Sequence, residues 1–437
     1  MEEIIQYIIR FLTGSQLSDK ELSMIGYTSD PEKYSSYKIV IKKSTFFNEN
    51  VYGTMASLPV LPLKIWNEIP VLFGEGKTET IGKTIVIHAD FIAGTFFLIS
   101  RYEEMVRKNV RDEHGRFPGK ESLPYRAGFI DRPVIEEWGV LLRSFMKEAG
   151  LKTEEPKKQI SRIFLTHDVD QLAHFRNFRG MMGGFLRGIR RKKEGRMALK
   201  SYFGGLIFDP WYTFPFLYKV DTELRNTLGN DRCEIITFFR SGISKRKEDK
   251  PLVNLLDPDY RTLIRYTKRK KISFGLHASY EAGCNPVLIP AEKEKLETFT
   301  NRKITCNRNH FLNNREPGDF EMLIESGITD DFSMGYADMA GFRLGTCRPV
   351  KWINPEKKTL TSLTLHSLLI MDNSLSDKKY MYMNAHDAYE YCIRLFNNVE
   401  SYNGELVFLW HNTMVENNPQ LYHRKLYRDL LKYLEDK

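Results

Sequence analysis

Residues 164–171, FLTHDVDQ, bring an apolar run to an end on two carboxylates one residue apart, Asp168 and Asp170, with His167 beside them. In an extended chain side chains alternate with period two, so the two aspartates would share a face. Two carboxylates that close repel unless a proton or a cation separates them. A metal bound to one, with the other left free as a base, resolves the conflict and makes a hydrolytic pair. The pair could equally cap the following segment or meet Arg176, so its meaning depends on what joins it. His277, in FGLHASYEAG, offers a neutral nitrogen ligand, and Glu281, four residues on, would share its face if a helical turn starts there. Arg308 and His310, in CNRNHFL, could orient a carboxylate or complete a metal shell, or only cap a strand. His411, after LVFLW, could be a general acid near neutral pH or an ordinary strand-end histidine.

These residues sit at the ends of short apolar runs. RIFLT, CEIITFF, KISFGL, RKITC and ELVFLW recur with helical or loop segments between them. Strands alternating with helices predict an α/β fold with a parallel sheet or barrel. In a (β/α) barrel the strand C-termini converge on one face, where distant segments can deliver polar residues to one pocket. The charged, proline-containing KTEEPKKQ at 152–159 is the best boundary. It separates a smaller N-terminal α/β domain, 1–155, from a barrel domain, 156–437. In the first, extended runs such as YKIVIKK and KTIVIHA alternate with helical patterns such as FFLISRYEEMVRK and PVIEEWGVLLRSFMKEAG. RDEHGRFPGKESLPYRAGFIDRP reads as a long polar loop whose chemistry the residues do not reveal.

The chain of 437 residues carries a net charge of +9, and 42% of it is hydrophobic, enough for a large core. Residues 171–205 hold nine Lys and Arg against one acid, Glu194, so nearly all the excess charge belongs to this basic insert. Phe175, Phe178, Phe185, Leu186, Ile189 and Tyr202 interleave with those charges. Such a mix suits an anionic membrane surface or a phosphate, although a solvated helical excursion explains it too. No nucleic-acid motif accompanies it, so nucleic acid is not expected as a partner. The first residues, MEEIIQYIIRFLTG, are acidic and helically patterned rather than an export signal. TIVIHADFIAGTFFLIS is interrupted by His88 and Asp90 and is not expected to span a membrane. Five scattered cysteines without a CxxC pair suggest reduced thiols and a cytoplasmic protein, with the inner membrane face as a peripheral option.

The order and spacing of these motifs resemble the NodB-homology polysaccharide deacetylases. THDVD resembles their first motif, HASYE stands where H-[ST]-x-x-H belongs, RNHFL resembles the third and LWH the closing L-x-H. DDFSMGYADMAGFRLGT and DEHGRFP also look like a bacterial subgroup with an extra N-terminal domain. The resemblance implies a distorted (β/α) barrel and removal of acetyl groups from amino sugars. It makes Asp168 the base, Arg308 its steadying partner, His411 the acid, and Asp170 and His277 ligands of a divalent metal, zinc first. The motif departs from the family at Glu281, which replaces a second histidine. Glu281, His310 or solvent could therefore be the third ligand, and a more oxygen-rich shell would suit another divalent ion. The basic insert also separates the first two motifs, so it is expected to flank or lid the pocket. The expected substrate is an acetylated glycan or a lipid- or nucleotide-linked sugar precursor. An O-acetyl ester, another amide, or a non-catalytic sugar-binding scaffold with a degenerate metal site are the alternatives.

Overall fold

The computed structural model describes residues 1–14, 17–189, 192–242, 244 and 246–437. The fold is mixed α/β. In the N-terminal part β1 (Ile25–Tyr27), β2 (Ile39–Ile41), β5 (Gly74–Ile81) and β6 (Thr84–Ala89) form a sheet in the order β1-β2-β6-β5, and β3 (Lys64–Trp66) pairs with β4 (Ile69–Val71). The apolar stretch that opens with β6 is split at Asp90, whose carboxylate accepts the Ala93 N–H and so starts the helix Phe91–Ile99. That helix is apolar all round and buried at every position, which is the pattern of an interior helix. Among the described residues no helix is long and apolar enough to cross a membrane.

The second sheet has nine strands: β7 (Arg162–Val169), β8 (Cys233–Phe239), β9 (Ser273–Ala278), β10 (Cys306–Asn309), β11 (Asp330–Asp331), β12 (Val350–Asn354), β13 (Thr359–Leu365), β14 (Leu368–Met371) and β15 (Glu405–Leu409). Their order is β12-β13-β11-β10-β9-β8-β7-β15-β14, parallel throughout except where β12 lies antiparallel on β13. The expected barrel is not closed: the sheet curls into a half-barrel with β12 and β14 as its edges. Along β14 runs the buried, irregular segment 332–349, tied by Leu368 N–H to Met334 O at 3.1 Å and Gly341 N–H to Leu369 O at 3.0 Å. RIFLT, CEIITFF, KISFGL and ELVFLW coincide with strands, while the RKITC strand starts only at its last residue, Cys306.

Alternation along the strands sorts side chains between two layers. Phe164 of β7, Ile236 and Phe238 of β8, and Val407 and Leu409 of β15 form an apolar layer on the concave face. Ile163, Leu165, Val169, Ile235, Leu406 and Phe408 face the helices and join a core that extends into the N-terminal part. The two parts also meet through Glu104, paired with Arg101 at 2.6 Å and Arg343 at 2.8 Å, and through Glu136 with Arg348 at 3.0 Å. All five cysteines are free, with Cys233, Cys347 and Cys392 buried in the core. The basic insert folds as two helices, Phe178–Gly188 and Lys192–Gly204; its Arg190 and Arg191 lie outside the described residues.

Candidate metal centre

The concave face of the sheet carries the polar cluster at the C-terminal ends of its strands. On β7 the alternation that turns Phe164 inward also turns Thr166 and Asp168 inward, and Asp170 follows one residue past the strand. His167 points the opposite way, where its ring nitrogens meet Asp221 at 2.8 Å and Trp410 O at 2.7 Å. It plays no part in the cluster.

Asp170 Oδ1 lies 3.0 Å from His277 Nε2 and 3.3 Å from His310 Nε2. One ligand atom from each of these three residues falls within 4.8 Å of the others, a group that could hold a metal ion. Each imidazole has its second nitrogen tied down: His277 Nδ1 to Arg308 O at 2.8 Å, and His310 Nδ1 to Asp249 Oδ1 at 2.9 Å. An Nδ1–H that donates to oxygen leaves the Nε2 lone pair free for an ion, and such partners set tautomer and ring orientation. Asp249 is itself fixed by the N–H groups of Tyr280, at 2.8 Å, and Glu281, at 3.1 Å.

Asp168 flanks the cluster, with Oδ2 3.6 Å from His277 Nε2. Its other oxygen accepts Arg308 Nη1 at 3.1 Å, and the same nitrogen reaches Thr166 Oγ1 at 2.7 Å. The guanidinium is fully buried, 4.6 Å above the Phe238 ring of the apolar layer. On the other side His411 Nε2 is 3.6 Å from Asp170 Oδ2. Asp372, at the end of β14, accepts His411 Nδ1 at 2.7 Å and the His411 backbone N–H at 2.6 Å. The structure thus brings Asp168, Asp170, His277, Arg308, His310 and His411 together.

Glu281 is not among them. His277 is still in β9, while the next helix starts at Tyr280 behind the Ser279 cap, so the helical i,i+4 relation does not connect the two residues. His310, another of the options for a third ligand, lies within the group. Asp249 and Asp372 were missed in the sequence. Asp372 ends the run SLLIM and carries the same strand-end signal as the others. Asp249 lies in the polar segment KEDKP, where nothing sets one carboxylate apart.

Charge in the cluster follows from these contacts. Burial works against the Asp170 carboxylate, but the imidazoles of His310, His277 and His411 hold its pKa well below the usual range. For His310 burial prevails over the attraction of Asp170 and lowers the pKa, which favours the neutral ring a metal requires. For His411 burial is overcome by the Asp372 carboxylate, which lifts the pKa to about 10 and keeps the ring protonated at neutral pH. At His277 burial is overcome by Asp168 and Asp170, which raise its pKa too.

The loop of the N-terminal part that held no legible chemistry reaches this cluster. Arg116, paired with Asp112 at 2.7 Å, donates Nη1 to Phe311 O at 2.7 Å, and the His114 ring lies 4.9 Å from that of Phe311. Phe311 and Leu312, directly after His310, both take left-handed backbone conformations, φ 62° and 52°. Non-glycine residues avoid that region unless their surroundings impose it.

Residues 1–151 match the model of a family of unknown function, DUF7033. No curated protein matches the chain. Among solved structures, a Mycobacterium smegmatis protein provisionally assigned as a polysaccharide deacetylase aligns with 65% of this chain and 88% of its own length, at 12% identity and TM-score 0.41. The 4-alpha-glucanotransferase of Thermococcus litoralis aligns with 65% of this chain and 38% of its own length, at 14% identity and TM-score 0.35.

Proposed function

We propose that the protein is a metal-dependent hydrolase that removes the N-acetyl group from an amino sugar in a glycan or glycan precursor. The observation that carries this reading is the Asp170–His277–His310 group, flanked by a carboxylate held by an arginine and by an imidazole held by an aspartate. Two imidazoles and one carboxylate, with positions left open for water and substrate, are a donor set of catalytic zinc. The bound ion would supply positive charge that polarises the acyl carbonyl and acidifies a water. Asp168 takes the water proton as the oxygen attacks the acyl carbon, while the Arg308 hydrogen bond keeps that carboxylate aimed. The C–N bond then breaks with its electron pair on nitrogen, and His411 Nε2 delivers the proton that makes the amine a leaving group. The products are acetate and a free amino sugar. The resemblance of THDVD, HASYE, RNHFL and LWH to the deacetylase motifs supplies the substrate class. An accessory role for residues 1–155 beside a catalytic unit over 156–437 belongs to the same proposal.

The test is acetate release from N-acetylglucosamine oligosaccharides by the purified protein, before and after chelation and with zinc restored. Turnover should vanish with the ion and return with it, and Asp168→Asn should keep the ion while losing turnover. Unchanged turnover after complete metal removal would refute the mechanism. Acetate without a new amine would move the reading to an ester.

A further inference from the structure

The two helices of the insert pack with small residues inside and large apolar residues outside. The buried faces are Met181, Gly184 and Gly188 on one helix and Gly195, Ala198 and Ser201 on the other. A side chain at Gly184 would collide with Phe175 and Ala198, at 2.5 and 2.8 Å, and one at Gly188 would overlap the Gly195 backbone. Meanwhile Phe178, Phe185, Leu186, Ile189, Phe203 and Ile207 are 63%, 42%, 56%, 73%, 76% and 64% exposed. Phe178, Phe185 and Ile189 are spaced seven and four residues apart, so they form one stripe along the first helix. A hairpin made for water would bury these side chains. An exposed apolar patch of this kind marks an interaction surface.

Charge identifies the partner. Arg179, Lys193, Arg196 and Lys200 are exposed on the same hairpin, and residues 171–205 hold nine basic side chains against Glu194 alone. A nucleic-acid backbone would complement the charge but offers nothing to Leu186, Ile189 and Ile207. The boundary between anionic headgroups and acyl chains accepts both.

The hairpin is also rooted beside the metal centre. The segment leading into it starts at Gln171, directly after Asp170, and both of its roots meet the residue after His411: Asn412 Nδ2 donates to Gln171 O at 2.9 Å and to Trp211 O at 2.7 Å. Asp209 clamps the base by accepting the N–H groups of His174 and Phe175, at 2.9 and 2.8 Å, and the Ser201 hydroxyl at 2.7 Å. Arg176 ties it to Asp259 at 2.7 Å. We propose that the hairpin of residues 178–208 docks on an anionic lipid bilayer and turns the mouth of the site towards glycans carried by that membrane. The substrate half of this proposal rests on the deacetylase reading; the docking half does not.

The experiment is co-sedimentation of the full chain with phosphatidylcholine vesicles and with vesicles of equal phosphatidylcholine and phosphatidylglycerol. Uptake should be about tenfold stronger on the anionic vesicles. The triple variants Phe185→Ser/Ile189→Ser/Phe203→Ser and Arg179→Glu/Arg196→Glu/Lys200→Glu should each lose about tenfold, with melting temperature and zinc affinity unchanged. No uptake by the wild type, or equal uptake by wild type and variants, overturns the proposal. So does a wild-type dimer, dispersed by the serine variant, that ignores vesicles, since the patch would then join two copies. Vesicle uptake without acetate release from any glycan would sustain docking and sink the deacetylase reading. Turnover of soluble oligosaccharides without uptake would do the reverse.

Discussion

Replacing Asp249 by asparagine tests whether the candidate metal centre is organised as described, because Asp249 touches the candidate ligand His310 without belonging to the group. Its Oδ1 accepts the His310 Nδ1–H at 2.9 Å and the Tyr280 N–H at 2.8 Å, and its Oδ2 accepts the Glu281 N–H at 3.1 Å. The side chain is 4% exposed and lies 3.7 Å from Arg240 Nη1. Asparagine has one acceptor oxygen. If that oxygen stays with His310 and Tyr280, the new NH2 faces the Glu281 N–H donor; if it flips, His310 loses its acceptor and its tautomer. Either way the negative charge that strengthens His310 as a ligand is gone, and Arg240 loses a neighbouring anion. Partners of this kind contribute about tenfold to hundredfold in metal affinity, or roughly 1.4 to 2.8 kcal/mol. Three donors share the affected carboxylate, so the upper part of that range is expected. The assay is competition for zinc against a chromophoric chelator, with the apo-protein melting curve as the check on folding. Glu281→Gln is the internal control and should bind zinc within about twofold of wild type, because its carboxylate stands outside the group. The reasoning fails if Asp249→Asn binds within about threefold of wild type, or if Glu281→Gln loses more than Asp249→Asn does.

Asp372→Asn should lower kcat about a hundredfold to ten-thousandfold and shift the alkaline limb of its pH profile to lower pH, since Asp372 is what raises the His411 pKa; a limb that does not move contradicts the assignment. Arg116→Ala should weaken zinc binding about tenfold with all three ligands intact, read by the same chelator competition, because it frees the left-handed turn behind His310. At the opposite end of the sheet, burial disfavours a charged His366, but Asp330 and Glu405, at 3.1 and 2.7 Å, raise its pKa from 6.5 to about 9. A raised pKa stabilises the fold fully below the unfolded value and loses that effect as pH climbs through about 9, so denaturant melts should show a decline of up to about 3 kcal/mol across that window, absent in His366→Gln.

What could be read in the chain follows from how directly each feature is written in local pattern. Period-two alternation along RIFLTHDVD places Asp168 and Asp170 on the face of Phe164, and the same rule, carried one step further, sends His167 to the helices and out of the site. His277, Arg308 and His411 stand at or just past strand ends, where a parallel sheet gathers its polar residues. Glu281 stands apart because its four-residue spacing from His277 crosses a boundary where the chain changes from strand to helix. Closure of the sheet was not legible either. Whether β14 finds a further strand or the irregular segment 332–349 depends on a tertiary choice that no short apolar run encodes.

The residues that escaped detection share one property: each acts through another side chain or backbone group. Asp249 supports His310, Asp372 supports His411, and Arg116 reaches the turn behind His310 from a sequence distance of 195 residues. Ligands and bases must face one point in space, so strand periodicity constrains where they occur. A supporting carboxylate need only touch one nitrogen and can approach from any element, which is why Asp249 comes from a loop and Asp372 from the helix start directly after β14. The N-terminal part enters on the same terms: it supplies none of the gathered side chains, yet its Asp112–Arg116 pair holds the backbone of a turn that non-glycine residues avoid. Removing that part would therefore cost ligand geometry before it cost any ligand.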